Sequence, residues 1–200
     1  MTKAITFLRH YKLAYPFDNW RNMNLSQYTL LTEGKINPKI DTDIYNFLSK
    51  NFTKDQFKDY EIVLTSDFIR TNETAEAIIQ HFSLGLDIES NPLLNEIPSK
   101  ITSKLSEEYF LQMKHNQRLS INKRRILDRK KKIKRLTDID TFVRAQPQNN
   151  ILIISHSYLI GQLNYFYNIL QKNLDSYIES DADKYEVGGY IKGFSIKTDY

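Results

Sequence analysis

Arg9, His10, Ser66, Arg70 and His156 are the side chains of this sequence whose types and positions could together do chemistry. Each follows closely on a short apolar run. Residues 4–8 run directly into Arg9-His10, residues 61–65 (EIVLT) lead through Ser66 to Arg70, and residues 151–155 (ILIIS) end at His156-Ser157. Guanidinium forks match phosphate oxygens two bonds at a time, so this set suits a phosphate dianion. Its positive charge is already covalently present, so the set calls for no metal ion and no cofactor. There is no cysteine and no Ser-His-Asp order, which leaves an imidazole as the candidate nucleophile.

These residues can meet only if the runs before them lie side by side. All three runs are of strand length, continuously apolar and rich in Ile or Val, as interior strands of a sheet covered on both faces are. Residues 86–89 are a weaker fourth candidate. Helical spacing appears between them: Ile40, Ile44, Phe47 and Leu48, then Ala75, Ile78, Ile79 and Phe82 within 70–82, then the apolar stripe of 158–170. Strands alternating with helices imply an α/β fold, a three-layer sandwich with a mainly parallel central sheet and helices on both faces. Ligands of such sheets bind beyond the carboxyl ends of the strands, where helix N-termini add backbone donors. All five polar residues fall on that edge.

Composition narrows the setting. Two hundred residues fit a single domain, 1–200, large enough to bury a core without staples. The absence of cysteine suits a reducing cytoplasm, and no stretch approaches the ~18 apolar residues of a membrane span. The net charge of +4 is local, since nine Lys or Arg residues and one Asp lie between 123 and 135, and outside that run 19 basic side chains face 23 acidic ones. One patch of this kind does not characterise a general nucleic-acid binder. The run reads most simply as a solvated helix face within 101–145, a stretch that lacks Gly and Pro and where two or three helices fit. A steering role for phosphorylated substrates is the sharper alternative. The C-terminal VGGYIKGFSIKT suggests one or two short strands around glycines. His81 and His115 have no partner in the pattern and are expected at the surface.

The order of motifs resembles the histidine phosphatase superfamily, the phosphoglycerate-mutase-like enzymes. That family pairs a strand ending in Arg-His-Gly with a Ser-x-x-x-Arg-x-x-x-Thr-Ala segment, a loop Glu, and a strand ending in a second His. Here these correspond to LRHY, to SDFIRTNETA with Ser66, Arg70, Thr74 and Ala75, to PLLNEI with Glu96, and to ISHS with His156. The resemblance implies a helical cap at about 97–145 and phosphomonoester hydrolysis without metal. In it His10 is phosphorylated, while Arg9, Arg70 and His156, with Ser66 and Ser157 as further phosphate-binding candidates, hold the phosphoryl oxygens. Glu96 is the implied proton donor, with Glu107 and Glu108 as rivals. The expected partner is a small phosphorylated substrate or a phosphoprotein. On this reading His10 is neutral and His156 a cation.

The sequence also departs from the family. Tyr11 and Ser157 stand where glycine is usual, and KLAYPFDNW replaces the usual Glu-Thr and Asn after the first motif. Tyr11 could crowd the pocket mouth or take part in recognition, and Tyr15, Phe17 and Trp20 could line that mouth or cover the core. Ser66 could cap the helix after it instead of touching phosphate, and Thr74 and Ala75 suit packing better than substrate contact. A mutase-type phosphotransferase and a non-catalytic binder of phosphorylated ligands remain as alternatives.

Overall fold

Continuous apolar runs bury both of their faces, and the three runs found in the sequence form the middle of the sheet. The computed structural model describes residues 2–32, 34–97, 106–115, 129–170 and 190–199. Among these the order is β1 (Thr2–Arg9), α1 (Leu25–Thr32), α2 (Ile44–Asn51), β2 (Ile62–Thr65), α3 (Ile69–Phe82), β3 (Ile88–Ser90), α4 (Glu107–His115), α5 (Arg129–Arg144), β4 (Asn150–Ser155), α6 (Ser157–Leu170) and β5 (Gly193–Asp199). The strands lie in the order β3-β2-β4-β1-β5, all parallel except β5, which runs antiparallel to β1. The weak candidate at 86–89 is the short edge strand β3. The C-terminal segment supplies one strand.

Alternation along the strands builds the layers, because successive side chains point to opposite faces. Ile5, Phe7, Ile62, Leu64, Ile151 and Ile153 face one way, onto Leu136, Ile139 and Val143 of α5 and Leu159, Leu163 and Phe166 of α6. Val63, Leu152 and Ile154 face the other way, onto Ile44 and Leu48 of α2 and Ala75, Ile78 and Phe82 of α3. The fold is therefore α/β with helices on both faces of a mainly parallel sheet. Helix α2 begins at Ile44 and not at Ile40, because Ile40 pairs with Leu13 in a bridge and gives its N–H to Glu73. Of the stretch expected to form a cap, residues 98–105 and 116–128 lie outside the described residues. Helix α4 inserts Phe110 beside Met23 and Tyr28, whereas α5 packs on the sheet itself. No helix among the described residues is long and apolar enough to cross a membrane.

Gly193 lets β5 close on β1. A Cβ built there would lie 1.5 Å from the Phe7 carbonyl oxygen and 2.6 Å from its carbon. Backbone cannot yield as a flexible side chain does, so Gly193→Ala must part the two strands. Overpacking of this kind costs about 3 kcal/mol, which urea unfolding of the variant against the parent will measure.

Candidate active site

Strand register brings the polar residues together. In the β1–β4 ladder Arg9 pairs with Ser155, and the His10 N–H donates to the Ser155 carbonyl at 2.9 Å. His10 and His156 therefore each stand one residue beyond a matched pair, and their rings meet edge to face with centroids 5.2 Å apart. On the other side of β4, Thr65 pairs with Ile154, which sets Ser66 against His156. Both histidines are nearly closed off, His10 with 7% and His156 with 1% of its surface exposed.

The partners of each ring fix its proton. Nδ1 of His10 lies 2.6 Å from the Tyr11 carbonyl, which can only accept, so Nδ1 carries the hydrogen and Nε2 the lone pair. Burial, then Arg70 and Arg9, push His10 well below the usual imidazole range, so the ring is neutral. His156 has the opposite tautomer. Arg70 Nε, which can only donate, reaches its Nδ1 at 3.3 Å, so its proton sits on Nε2 and is donated to Ser66 Oγ at 2.9 Å. Burial, then Arg70, His10 and Arg9, hold His156 low as well. In this arrangement His156 is neutral where a cation was expected, since one ring nitrogen accepts from a guanidinium and no carboxylate among the described residues is bonded to the ring.

Ser66 also departs from its expected contact with phosphate. Its hydroxyl accepts from His156 and from the Phe68 N–H at 3.2 Å, and pairs with Thr71 Oγ1 at 2.8 Å. Thr71 in turn donates to the Phe68 carbonyl at 2.7 Å, which leaves Ser66 to donate to Thr71. The serine orients His156 and the start of α3. Thr74 accepts the Tyr11 N–H at 3.0 Å, and so fixes the peptide whose carbonyl holds His10. With Ala75 it is buried in the packing of α3 on the sheet, as expected.

The two arginines are held differently. Arg70 is almost fully buried with its guanidinium 4.3 Å from the Phe68 ring centroid. Burial draws its pKa down to about 10, with Glu96 opposing, so it remains charged at neutral pH. Arg9 lies 5.0 Å from the ring centroid of Tyr190. The backbone of Arg9 bonds both Ile191 and Lys192, a bulge in which Ile191 takes φ +47°. A branched residue rarely adopts that conformation, and the bulge aims Tyr190 beneath the guanidinium.

Glu96 stands at the start of α6. Its carboxylate accepts from Ile97 N at 2.9 Å, Leu159 N at 3.0 Å and Tyr158 N at 3.3 Å. Burial nevertheless raises it above the ordinary glutamate value, against the pull of those amides and of Arg70. Ser157 is the first residue of the same helix, half-buried. Of the rivals, Glu107 and Glu108 are exposed.

Tyr11 does not crowd the mouth. Its ring is buried against Phe47 and Tyr190, with centroids at 5.0 and 5.7 Å. Phe17 packs with Met23 and Phe110, Tyr15 is exposed, and the side chains of Trp20 and His115 lie outside the described residues. His81 is half-buried, 3.3 Å from Ser49. Within the basic run, residues 123–128 fall outside the described residues, but Lys132 and Arg135 turn inward. Lys132 is buried and donates to Tyr158 Oη at 3.1 Å, while Arg135 donates to the Leu93 carbonyl at 3.2 Å and to that of Asn95. Their spacing from Leu136, Ile139 and Val143 was the signal, since all five share one helical stripe.

Two buried imidazoles with lowered pKa values bind fewer protons folded than unfolded. Their stabilisation is complete above the unfolded value near 6.5 and is lost as pH falls towards their folded values. Each adds a slope of up to about 1.4 kcal/mol per pH unit in that window. Urea unfolding at successive pH values from neutrality downward should show this loss, and His156→Gln should make it shallower.

No family model matches the sequence, and no curated protein matches it significantly. Solved structures do match. A phosphoglycerate mutase from Bacillus anthracis str. Sterne superposes with a TM-score of 0.61 at 15% identity, over 98% of this chain and 88% of that one. A mycobacterial glucosyl-3-phosphoglycerate phosphatase gives 0.56 at 11% identity, over 98% and 90% of the two chains. A mycobacterial hydrolase gives 0.53 at 12% identity, over 98% and 91%. Likeness at such low identity is a likeness of fold: this chain has the fold of those phosphoglycerate mutase and phosphatase structures.

Proposed function

We propose that the protein is a phosphoryl-transfer enzyme, a phosphomonoester hydrolase that works through a phosphohistidine on His10. The observation that carries this reading is the tautomer of His10. A neutral imidazole pinned at Nδ1 by the Tyr11 carbonyl presents the Nε2 lone pair beside two guanidiniums. In the first step that lone pair forms a bond to phosphorus while the ester oxygen leaves with its electron pair and takes the Glu96 proton. In the second, the Glu96 carboxylate accepts a proton from water, whose oxygen displaces His10 and releases inorganic phosphate.

Arg9 and Arg70 stabilise the charge that spreads over the phosphoryl oxygens. His156 can donate to such an oxygen from Nδ1 only after taking up a proton there. A dianion in the hollow supplies the negative charge that this proton needs, and a substrate arriving as its monoanion supplies the proton. The substrates that fit are small phosphate esters or phosphoproteins, and a second hydroxyl in place of water would make the same chemistry a mutase. The neighbours named as a phosphatase and a mutase support the reaction class without choosing between these acceptors.

The test is hydrolysis of p-nitrophenyl phosphate in EDTA, with the phosphoryl adduct sought on His10 by mass spectrometry. His10→Ala is expected to lower turnover by about a thousandfold. Phosphate binding without turnover in the parent protein would leave a binder and remove the enzyme. Glu96 carries its own prediction. Its raised pKa keeps the acid form to higher pH than an ordinary glutamate, so single-turnover release of phenol from phenyl phosphate should fall as pH rises through that value. Glu96→Gln should lower this rate about a hundredfold and remove the alkaline fall.

A further inference from the structure

The basic helix α5 bears on the segment that carries Glu96, and this contact has a chemical consequence. Arg135 is half-buried, and its Nη2 donates to the carbonyls of both Leu93 and Asn95, which flank the turn leading into Glu96. One turn earlier Lys132 is buried and bonds the hydroxyl of Tyr158, 5.5 Å from that ring's centroid. The Tyr158 N–H is itself one of the donors to the Glu96 carboxylate. Two cations on one face of α5 therefore meet both segments that hold Glu96, Arg135 at the backbone of residues 93–95 and Lys132 at the Tyr158 side chain in the first turn of α6. The sheet side of the turn is tied separately, by Ser155 Oγ donating to the Leu94 carbonyl at 2.7 Å.

We propose that Arg135 is a positioning residue for the proton transfer carried out by Glu96, acting through the turn at residues 93–95. The proposal rests on Glu96 as proton donor in the hydrolase reading above. Arg135 bonds backbone carbonyls, so its contribution is to the placement of the carboxylate and not to phosphate binding. A guanidinium suits this task because two hydrogens on one nitrogen reach two carbonyls at once in a fixed plane. Ordinary helix packing would stabilise the fold without caring which leaving group departs. A residue that places the proton donor makes the rate depend on how much the leaving oxygen needs that proton.

The experiment compares the parent with Arg135→Met, which keeps the stem and removes the donors, and with Arg135→Lys, which keeps the charge. Phenyl phosphate leaves an oxygen that needs a proton, whereas dinitrophenyl phosphate departs as a stable anion. Arg135→Met is expected to lower kcat/KM about tenfold or more for phenyl phosphate and less than about threefold for dinitrophenyl phosphate. Arg135→Lys should fall between the two proteins, and inhibition by inorganic phosphate should stay unchanged in both. Equal losses on the two substrates, or a loss of phosphate inhibition, would overturn the proposal.

Amide hydrogen exchange supplies a readout that needs no turnover. The N–H groups of Ile97, Tyr158 and Leu159 all donate to Glu96. They should exchange faster in Arg135→Met while those of β4 do not, and unchanged exchange would overturn the proposal even in an inactive protein. Failure of the hydrolase reading shows separately, as full activity in His10→Ala.

Discussion

The register between β1 and β4 is the constraint on which both the core and the site depend. Pairing Arg9 with Ser155 sets His10 and His156 one step beyond the same rung, at the edge where parallel strands end together. A slip of one residue in β1 would turn Ile5 and Phe7 from the α5 and α6 side to the α2 and α3 side, since side chains alternate with a period of two. It would also carry His10 away from the carbonyl and the hydroxyl that now hold its surroundings. Packing of the sheet and aiming of the imidazoles are thus one choice. A polar edge of this kind gains its precision from apolar side chains far from it.

Within that frame the two histidines are made unlike by what each can bond. A carbonyl faces His10 Nδ1 and a guanidinium nitrogen faces His156 Nδ1, so the same ring in the same burial takes opposite tautomers. Bonding partners decide this, because burial and the arginines push both rings in one direction, towards neutrality. The result is a lone pair available at one ring and an N–H committed to Ser66 at the other. Arg70 joins the two, since it keeps its charge in burial and bears on both. A site built from two imidazoles and two guanidiniums is short of negative charge until an anion enters it.

Much of this was legible in the residues themselves. Apolar runs of strand length gave three adjacent strands, and the polar residues after them fell on the expected edge. What could not be read were directions. A side chain leaving a strand end goes wherever the next backbone angles send it, so Tyr11 reads as a residue of the pocket mouth, whereas it is a core residue against Phe47 and Tyr190. Ser66 was readable as a polar group beside the site, but which group its hydroxyl would meet depended on where α3 came to rest. The basic run misled through composition. Charge density suggests a solvated face, whereas Lys132 occupies the same helical stripe as Leu136, Ile139 and Val143, and helical position decides burial. Helix α1 carries too little periodicity to stand out.

The place of Tyr11 shows why a large side chain there leaves the arrangement around His10 intact. A glycine after His10 would leave space that some other side chain must fill. Tyr11 fills it with a ring that meets Phe47 on α2 and Tyr190 beside β5, and Tyr190 in turn lies under the guanidinium of Arg9. Its backbone, meanwhile, does what the site requires of any residue there. The carbonyl accepts from His10 and the N–H donates to Thr74, and neither depends on what the side chain is. The hydrogen bonds at this position are made by the main chain, so the side chain is free to join the core.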